Sequence, residues 1–234
     1  MLDVTTDGCE IVDGLVGGEV LRAVTRAVDA AAKETGWAMG TMGGRRAGVR
    51  DLFRAIPETA ALARDEGVRG VVERVLGSGA FVVRAILFDK TPESNWAVPW
   101  HQDTTIAVRE RVDVPGFGPW SVKSGIVHVQ PPAEVLERMV TVRINIDPCG
   151  PENAPLLVLP GSHRDGILSE EGVRRWLSSG VEPVACTGGA GAAVLMRPLT
   201  LHASGRAEEP GRRRVVHLEW AAGELPGGLE WAKA

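Results

Sequence analysis

The most specific chemistry in this chain comes from His101-Gln102-Asp103 together with His202 far downstream. Two imidazoles and one carboxylate hold a divalent metal on one face and leave the opposite face open, the usual ligand set of non-haem iron(II) oxygenases. On a strand, side chains alternate with period two, so His101 and Asp103 share a face and Gln102 points away. His-x-Asp also occurs by chance, and His128 and His163 compete with His202 for the third position. His202 is set apart by its surroundings: it follows the apolar run 192–196 and precedes, at strand length, Arg212-Arg213-Arg214. Three successive arginines ordinarily form a solvated charge run. On a strand over residues 213–220, however, Arg213, Val215 and His217 face one way, while Arg212, Arg214, Val216 and Leu218 face the other. An inward guanidinium needs a partner, and an organic acid chelating the same metal would supply a bidentate one.

Periodicity indicates the elements that must position these residues. Residues 17–33 carry Val20, Leu21, Val24, Ala27, Val28 and Ala31 at helical spacing, with Gly36 as the stop. Residues 40–48 are glycine-rich and basic and read as a loop; no strand precedes them and no GK[ST] ends them, so they make a poor phosphate loop. Pro57 opens a second helical stretch that runs, with interruption, to about residue 76. From residue 80 the texture is β. Runs at 80–88, 125–130, 139–146, 156–159, 192–196 and 213–220 are separated by Gly and Pro, the pattern of a sandwich or barrel. Short helices at 134–138 and 170–177, the latter capped by Ser169, interrupt them. The expectation is one domain over residues 1–234, with a helical part (about 1–78) packed on a β core (about 80–221).

Composition narrows the partners. A chain of 234 residues with 44% hydrophobic and 24% charged residues suits one well-buried globular domain. A net charge of -4 gives no reason to expect nucleic acid or an anionic membrane, and no apolar run approaches membrane-spanning length. The polar, acidic first residues do not resemble a signal peptide. Cys9, Cys149 and Cys186 are odd in number and fit neither a zinc knuckle nor a CxxC pair, which is consistent with reduced thiols in a cytoplasmic protein. The expected partner is a small-molecule substrate; the sequence does not define an oligomeric state.

Several stretches together resemble the phytanoyl-CoA dioxygenase family of iron(II)/2-oxoglutarate oxygenases: PWHQD at 99–103, LPGSHRDG at 159–166, and LHASG followed by GRRR between 201 and 214. ILFDKTPES, ahead of the His-x-Asp, is similar to the family's loop. The resemblance implies a mainly β fold with flanking α-helices, a double-stranded β-helix (jelly roll, cupin-like). It implies that His101, Asp103 and His202 ligate Fe(II). Arg213 then pairs with the distal carboxylate of 2-oxoglutarate, Ser204 adds a hydroxyl, and Arg143 lines the co-substrate. His163 falls in the family's PGSH turn, and no catalytic side chain is implied beyond the metal ligands. Because Asp103 is present, hydroxylation is favoured over halogenation, with O2 consumed and succinate and CO2 released.

Expected substrate contacts are Arg84, which shares a strand face with Val82 and Ile86 and would meet an acidic substrate; Trp100 beside the His-x-Asp; and His128 and Gln130 on one face of their run. No basic patch visible along the sequence supports an acyl-CoA substrate. The alternative is a cupin-type metalloprotein that binds another divalent metal without turning over 2-oxoglutarate. Such a protein would keep the histidines and need no Arg213.

Overall fold

A computed structural model describes residues 2–35, 41–42, 45–46, 48–209 and 211–234. The chain opens with strand β1 (Cys9–Val12) and helix α1 (Gly18–Thr35), then a ribbon of β2 (Thr41–Met42) and β3 (Arg45–Arg46), and β4 (Gly48–Val49). Short helices α2 (Leu52–Ala55) and α3 (Ala61–Arg64) precede α4 (Glu66–Leu76). The β core follows as β5 (Phe81–Lys90), β6 (Val98–His101), β7 (Ile106–Val108), β8 (Trp120–Lys123) and β9 (Ile126–Val129), then α5 (Ala133–Leu136) and β10 (Met139–Asn145). It closes with β11 (Leu156–Val158), α6 (Glu170–Leu177), β12 (Val184–Cys186), β13 (Ala193–Met196), β14 (His202–Ser204) and β15 (Arg213–Ala221).

The strands pair antiparallel in a jelly roll. A six-stranded sheet has the order β1-β13-β10-β15-β5-β4, and a four-stranded sheet the order β12-β11-β14-β6. A smaller β7-β9-β8 sheet sits beside them. The longest pairing joins β15 to β5, from Arg213 opposite Lys90 to Ala221 opposite Phe81. β15 is buried on both faces. Val216, Leu218 and Trp220 pack with Val24 and Val28 of α1 and Val68 and Val72 of α4. The amphipathic helices thus bury their apolar stripes on the outer face of the large sheet, leaving its inner face to Arg213, Val215, His217 and Glu219.

Several elements depart from the sequence expectations. The sheet recruits Cys9–Val12 and Gly48–Val49 from the part expected to be helical. Asp65 breaks the second helical stretch and caps α4, accepting from the Gly67 and Val68 amides at 3.0 and 3.2 Å. β7 and β8 fall where no strand is expected. β5 runs on to Lys90, and residues beyond 221 add Leu225, Leu229 and Trp231 to a cluster around Ile106 and Val129. α6 matches, with the Ser169 hydroxyl accepting from the Gly172 amide at 3.2 Å. Gly36 and, within the glycine-rich stretch, Gly40, Gly43, Gly44 and Ala47 lie outside the described residues.

The three arginines at the start of β15 divide as alternation requires. Arg212 pairs with Asp29 and Asp89. Arg214 is held by both oxygens of Asp147, at 2.8 and 2.6 Å, and by Asp29 at 2.7 Å. Arg213, between them, is buried with no carboxylate partner among the described residues. Arg214→Ala strands the Asp147 carboxylate in a largely buried position and is expected to cost about 3 kcal/mol, read from the midpoint of urea unfolding. A loss under about 0.5 kcal/mol, the range of ordinary surface changes, would contradict this.

Candidate metal centre

β6 and β14 are neighbours in the four-stranded sheet, and their pairing sets His101 opposite His202. The two rings lie 4.1 Å apart, centroid to centroid. Each Nδ1 is 2.8 Å from the backbone carbonyl two residues earlier, Pro99 for His101 and Thr200 for His202. A carbonyl only accepts, so Nδ1 is the donor on both rings and Nε2 keeps its lone pair for a metal. Asp103 completes the set: its two oxygens lie 3.9 Å from His101 Nε2 and 3.6 Å from His202 Nε2. All three donor atoms fall within 4.8 Å of one another, a span that one divalent ion can bridge.

β6 ends at His101, so strand alternation alone does not carry Asp103 to the centre. Two anchors do. The Asp103 amide donates to the Pro198 carbonyl at 2.9 Å. The Gln102 side chain donates to the Gly166 and Leu199 carbonyls at 2.8 and 2.6 Å and accepts from the Leu168 amide at 2.8 Å. Three bonds to two loop segments, 166–168 and 199, hold Gln102 on its own side and fix the turn on which Asp103 sits.

Burial pushes the His202 imidazole down to about 4, even against the pull of Asp103. Burial would raise the Asp103 carboxyl, but His202, His217, His101 and Arg84 outweigh it and hold it at about 2. At neutral pH both groups are therefore in the forms that bind a metal. His202 is 6% exposed while His101 and Asp103 are 38% and 28% exposed, so the centre opens on one side only.

That side is a cavity of about 230 Å³. β5 lines it with alternate residues, Arg84, Ile86, Phe88 and Lys90, and β15 with Arg213 and His217. At one end, the buried Arg213 bonds to the Ala154 carbonyl, and one of its terminal nitrogens lies 3.5 Å from the Ser204 hydroxyl. Its Nε is buried without any partner. Lys90 Nζ donates to the same Ser204 hydroxyl at 3.1 Å and to the Gly205 carbonyl at 2.8 Å. Burial, then Arg213 and Arg143, push Lys90 down to about 7. Arg143, across from His217 on β10, lies over the Phe88 ring at 5.3 Å; burial and then Arg213 lower it to about 10. Among the described residues no carboxylate pairs with these three cations, an arrangement suited to an anion.

Arg213, Ser204, Arg143 and Arg84 all line this cavity with the three metal-site residues, whereas Trp100, His128 and Gln130 are not among its lining residues. His128 is buried behind the wall. Its Nδ1 donates to the Ile126 carbonyl at 2.9 Å and its Nε2 accepts from Arg84 at 2.8 Å. Burial lowers it to about 4, which keeps it an acceptor. It braces Arg84 where the sequence suggested a substrate contact. The Gln130 backbone pairs with Gly118 and Pro119 in the adjoining loop. His163 lies away from the centre, where it packs so closely on Gly8 (φ +78°) that a Cβ there would come within 2.4 Å of the ring. Lys90 is the residue sequence reasoning missed; continuing the Val82-Arg84-Ile86 alternation two steps further would have reached it.

Removing one of three donors is expected to cost more than the roughly 10–100-fold typical of losing an outer partner. For His202→Ala, cobalt(II) titration by calorimetry should show that loss with the circular dichroism of the fold preserved. Undiminished cobalt affinity would place the metal elsewhere.

Structural comparison finds the same fold in several solved proteins. EctD from S. alaskensis, crystallised with 2-oxoglutarate and 5-hydroxyectoine, superposes with a TM-score of 0.70 at 18% identity, covering 94% of this chain and 73% of EctD. AviO1 from Streptomyces viridochromogenes Tue57 gives 0.67 at 19% identity, covering 96% of this chain and 94% of AviO1. The epimerase SnoN, in complex with Fe3+, alpha ketoglutarate and nogalamycin RO, gives 0.72 at 15% identity, covering 99% and 92%. A search of curated protein sequences gives no match. The family profile for Phytanoyl-CoA dioxygenase (PhyH) matches residues 4–223, a span that contains the metal centre and both sheets. The chain belongs to the phytanoyl-CoA dioxygenase family.

Proposed function

We propose that this protein is an iron(II)- and 2-oxoglutarate-dependent dioxygenase that hydroxylates a small-molecule substrate, releasing succinate and CO2. The observation that carries this reading is one cavity with a His–Asp–His donor set on its wall and a buried, carboxylate-free Arg213 at its end. A cupin-type metal site without a keto-acid co-substrate has no use for that arginine. Structural neighbours with iron and 2-oxoglutarate in the same fold support the assignment of both to this chain.

His101, Asp103 and His202 would hold the metal through Nε2, a carboxylate oxygen and Nε2, at the wall of the cavity. Bound there, iron with 2-oxoglutarate and dioxygen would supply the oxidising equivalents for a substrate C–H bond, with succinate and CO2 as co-products. Arg213 and the Ser204 hydroxyl take the carboxylate remote from the metal, where the unpartnered Nε of Arg213 gains an acceptor. Lys90 adds a second cation on the same hydroxyl. Ile86, Phe88, Trp96, Val98, Leu156 and Ala203 are the apolar part of the wall; they exclude water and strengthen the charge pairing.

Asp103→Ala is expected to abolish 2-oxoglutarate-dependent succinate formation. Arg213→Ala is expected to weaken 2-oxoglutarate binding by about 2–5 kcal/mol, followed anaerobically by the metal-to-ligand charge-transfer band with Fe(II). Full turnover in the first variant, or unchanged affinity in the second, would remove the basis of the reading.

Lys90 adds a pH signature. In the free protein it loses its proton near pH 7, and a carboxylate alongside raises that value. Binding therefore takes up a proton above pH 7, so 2-oxoglutarate affinity falls as pH rises from about 7 towards 10, the ordinary lysine range. Lys90→Met should flatten the profile. An identical profile in that variant would assign the proton to another group.

A further inference from the structure

The cavity has a second basic end that a keto acid held at Arg213 cannot serve. Arg84 and Lys90 are six residues apart on β5, roughly 20 Å along an extended strand. Lys90 sits beside Arg213, and Arg84 sits opposite Glu219 at the far end of β15's inward row. Around Arg84 gather Arg50, just after β4, and Lys123, the last residue of β8. Arg84 has one acid, Glu219 at 2.5 Å, yet its Nε is buried without a partner. Arg50 has no carboxylate partner among the described residues, and Lys123 has a weak contact, 3.4 Å to the Thr105 hydroxyl. Burial lowers Arg50 and Lys123, and mutual repulsion with Arg84 adds to it. Lys123 also feels Asp103, which sets this end beside the metal-binding carboxylate.

The charges do not balance without a further anion. Six basic side chains line the cavity, against Asp103 on its wall and Glu219 behind Arg84. A divalent metal adds two positive charges, and 2-oxoglutarate removes two, one carboxylate at the metal and the other at the Arg213 end. Unpaired cations drawn partly out of water carry a desolvation cost that a bound anion relieves. We propose that Arg50, Arg84 and Lys123 form the substrate's anion-binding site, so that the substrate is a small organic acid bearing a carboxylate or phosphate. With the acid group held there, the rest of the molecule extends towards the metal. A cavity of about 230 Å³ lies below the usual range of roughly 300–1,000 Å³ for ligand pockets, which favours a compact acid. The inference rests on the proposed function for the occupant of the Arg213 end.

The test uses protein loaded anaerobically with Fe(II) and 2-oxoglutarate and titrated calorimetrically with benzoate, phenyl phosphate and neutral benzamide. At least one of the two acids should bind saturably, which decides between carboxylate and phosphate, and benzamide at least about tenfold more weakly. The double variant Arg50→Gln/Lys123→Gln should weaken the acid at least about tenfold while 2-oxoglutarate affinity, from the charge-transfer band, stays within about twofold. Arg50→Lys should retain most of the binding. The proposal is overturned if neither acid binds, if benzamide matches them, or if the double variant binds them unchanged. If no charge-transfer band forms in the wild type, the 2-oxoglutarate reading fails instead. The same acid titrations on the metal-free protein, wild type against double variant, then still decide the anion site.

Discussion

The pairing of β14 with β6 sets His202 against His101 across a single sheet, and the chemistry of the molecule follows from that contact. Neither ring is free to turn, because each is tied through Nδ1 to the backbone carbonyl two residues before it. The third ligand comes from the turn beyond β6, held by Gln102. The opposing sheet contributes no metal ligand. Its inner face supplies Arg84, Lys90, Arg143 and Arg213 to the cavity beside that centre, with Ile86 and Phe88 as apolar wall.

This division explains the uneven legibility of the sequence. Period-two alternation correctly separated Arg213 from Arg212 and Arg214, because β15 is regular and buried on both faces. The same rule suggested Arg84 on β5. It stopped short of Lys90 because Asp89-Lys90 reads as a polar strand end, and only the pairing of Lys90 with Arg213 makes that end interior. His128 lies on β9, which ends at Val129, so Gln130 falls just beyond the strand; His128 is turned to Arg84 of β5, which no local pattern encodes. Trp100 was placed by adjacency to His101, which carries no information about the face it occupies. The His-x-Asp was read as a strand pair, whereas a loop clamp delivers Asp103.

Charge distribution was the least legible feature. A chain with a net charge of -4 gives no hint of a basic interior. The cluster is assembled in space: Arg50 follows β4, Arg84 lies on β5 and Lys123 ends β8, and although alternation turned Arg84 inward, Arg50 and Lys123 look like ordinary surface cations in their own segments. The outward arginines of β15 find aspartates; the inward cations largely do not. That contrast between paired and unpaired cations marks which ones are structural.

Gln102 separates what this scaffold must keep from what it can exchange. Its amide ties the metal-bearing turn to Gly166, Leu168 and Leu199, so insertions in those loops would disturb ligation directly. Lys123 instead sits on the β8–β9 hairpin, whose exposed outer strand carries no part of that tie. Under the proposed function, changes on that outer strand would therefore alter which acid the site takes while His101, Asp103 and His202 stay in register.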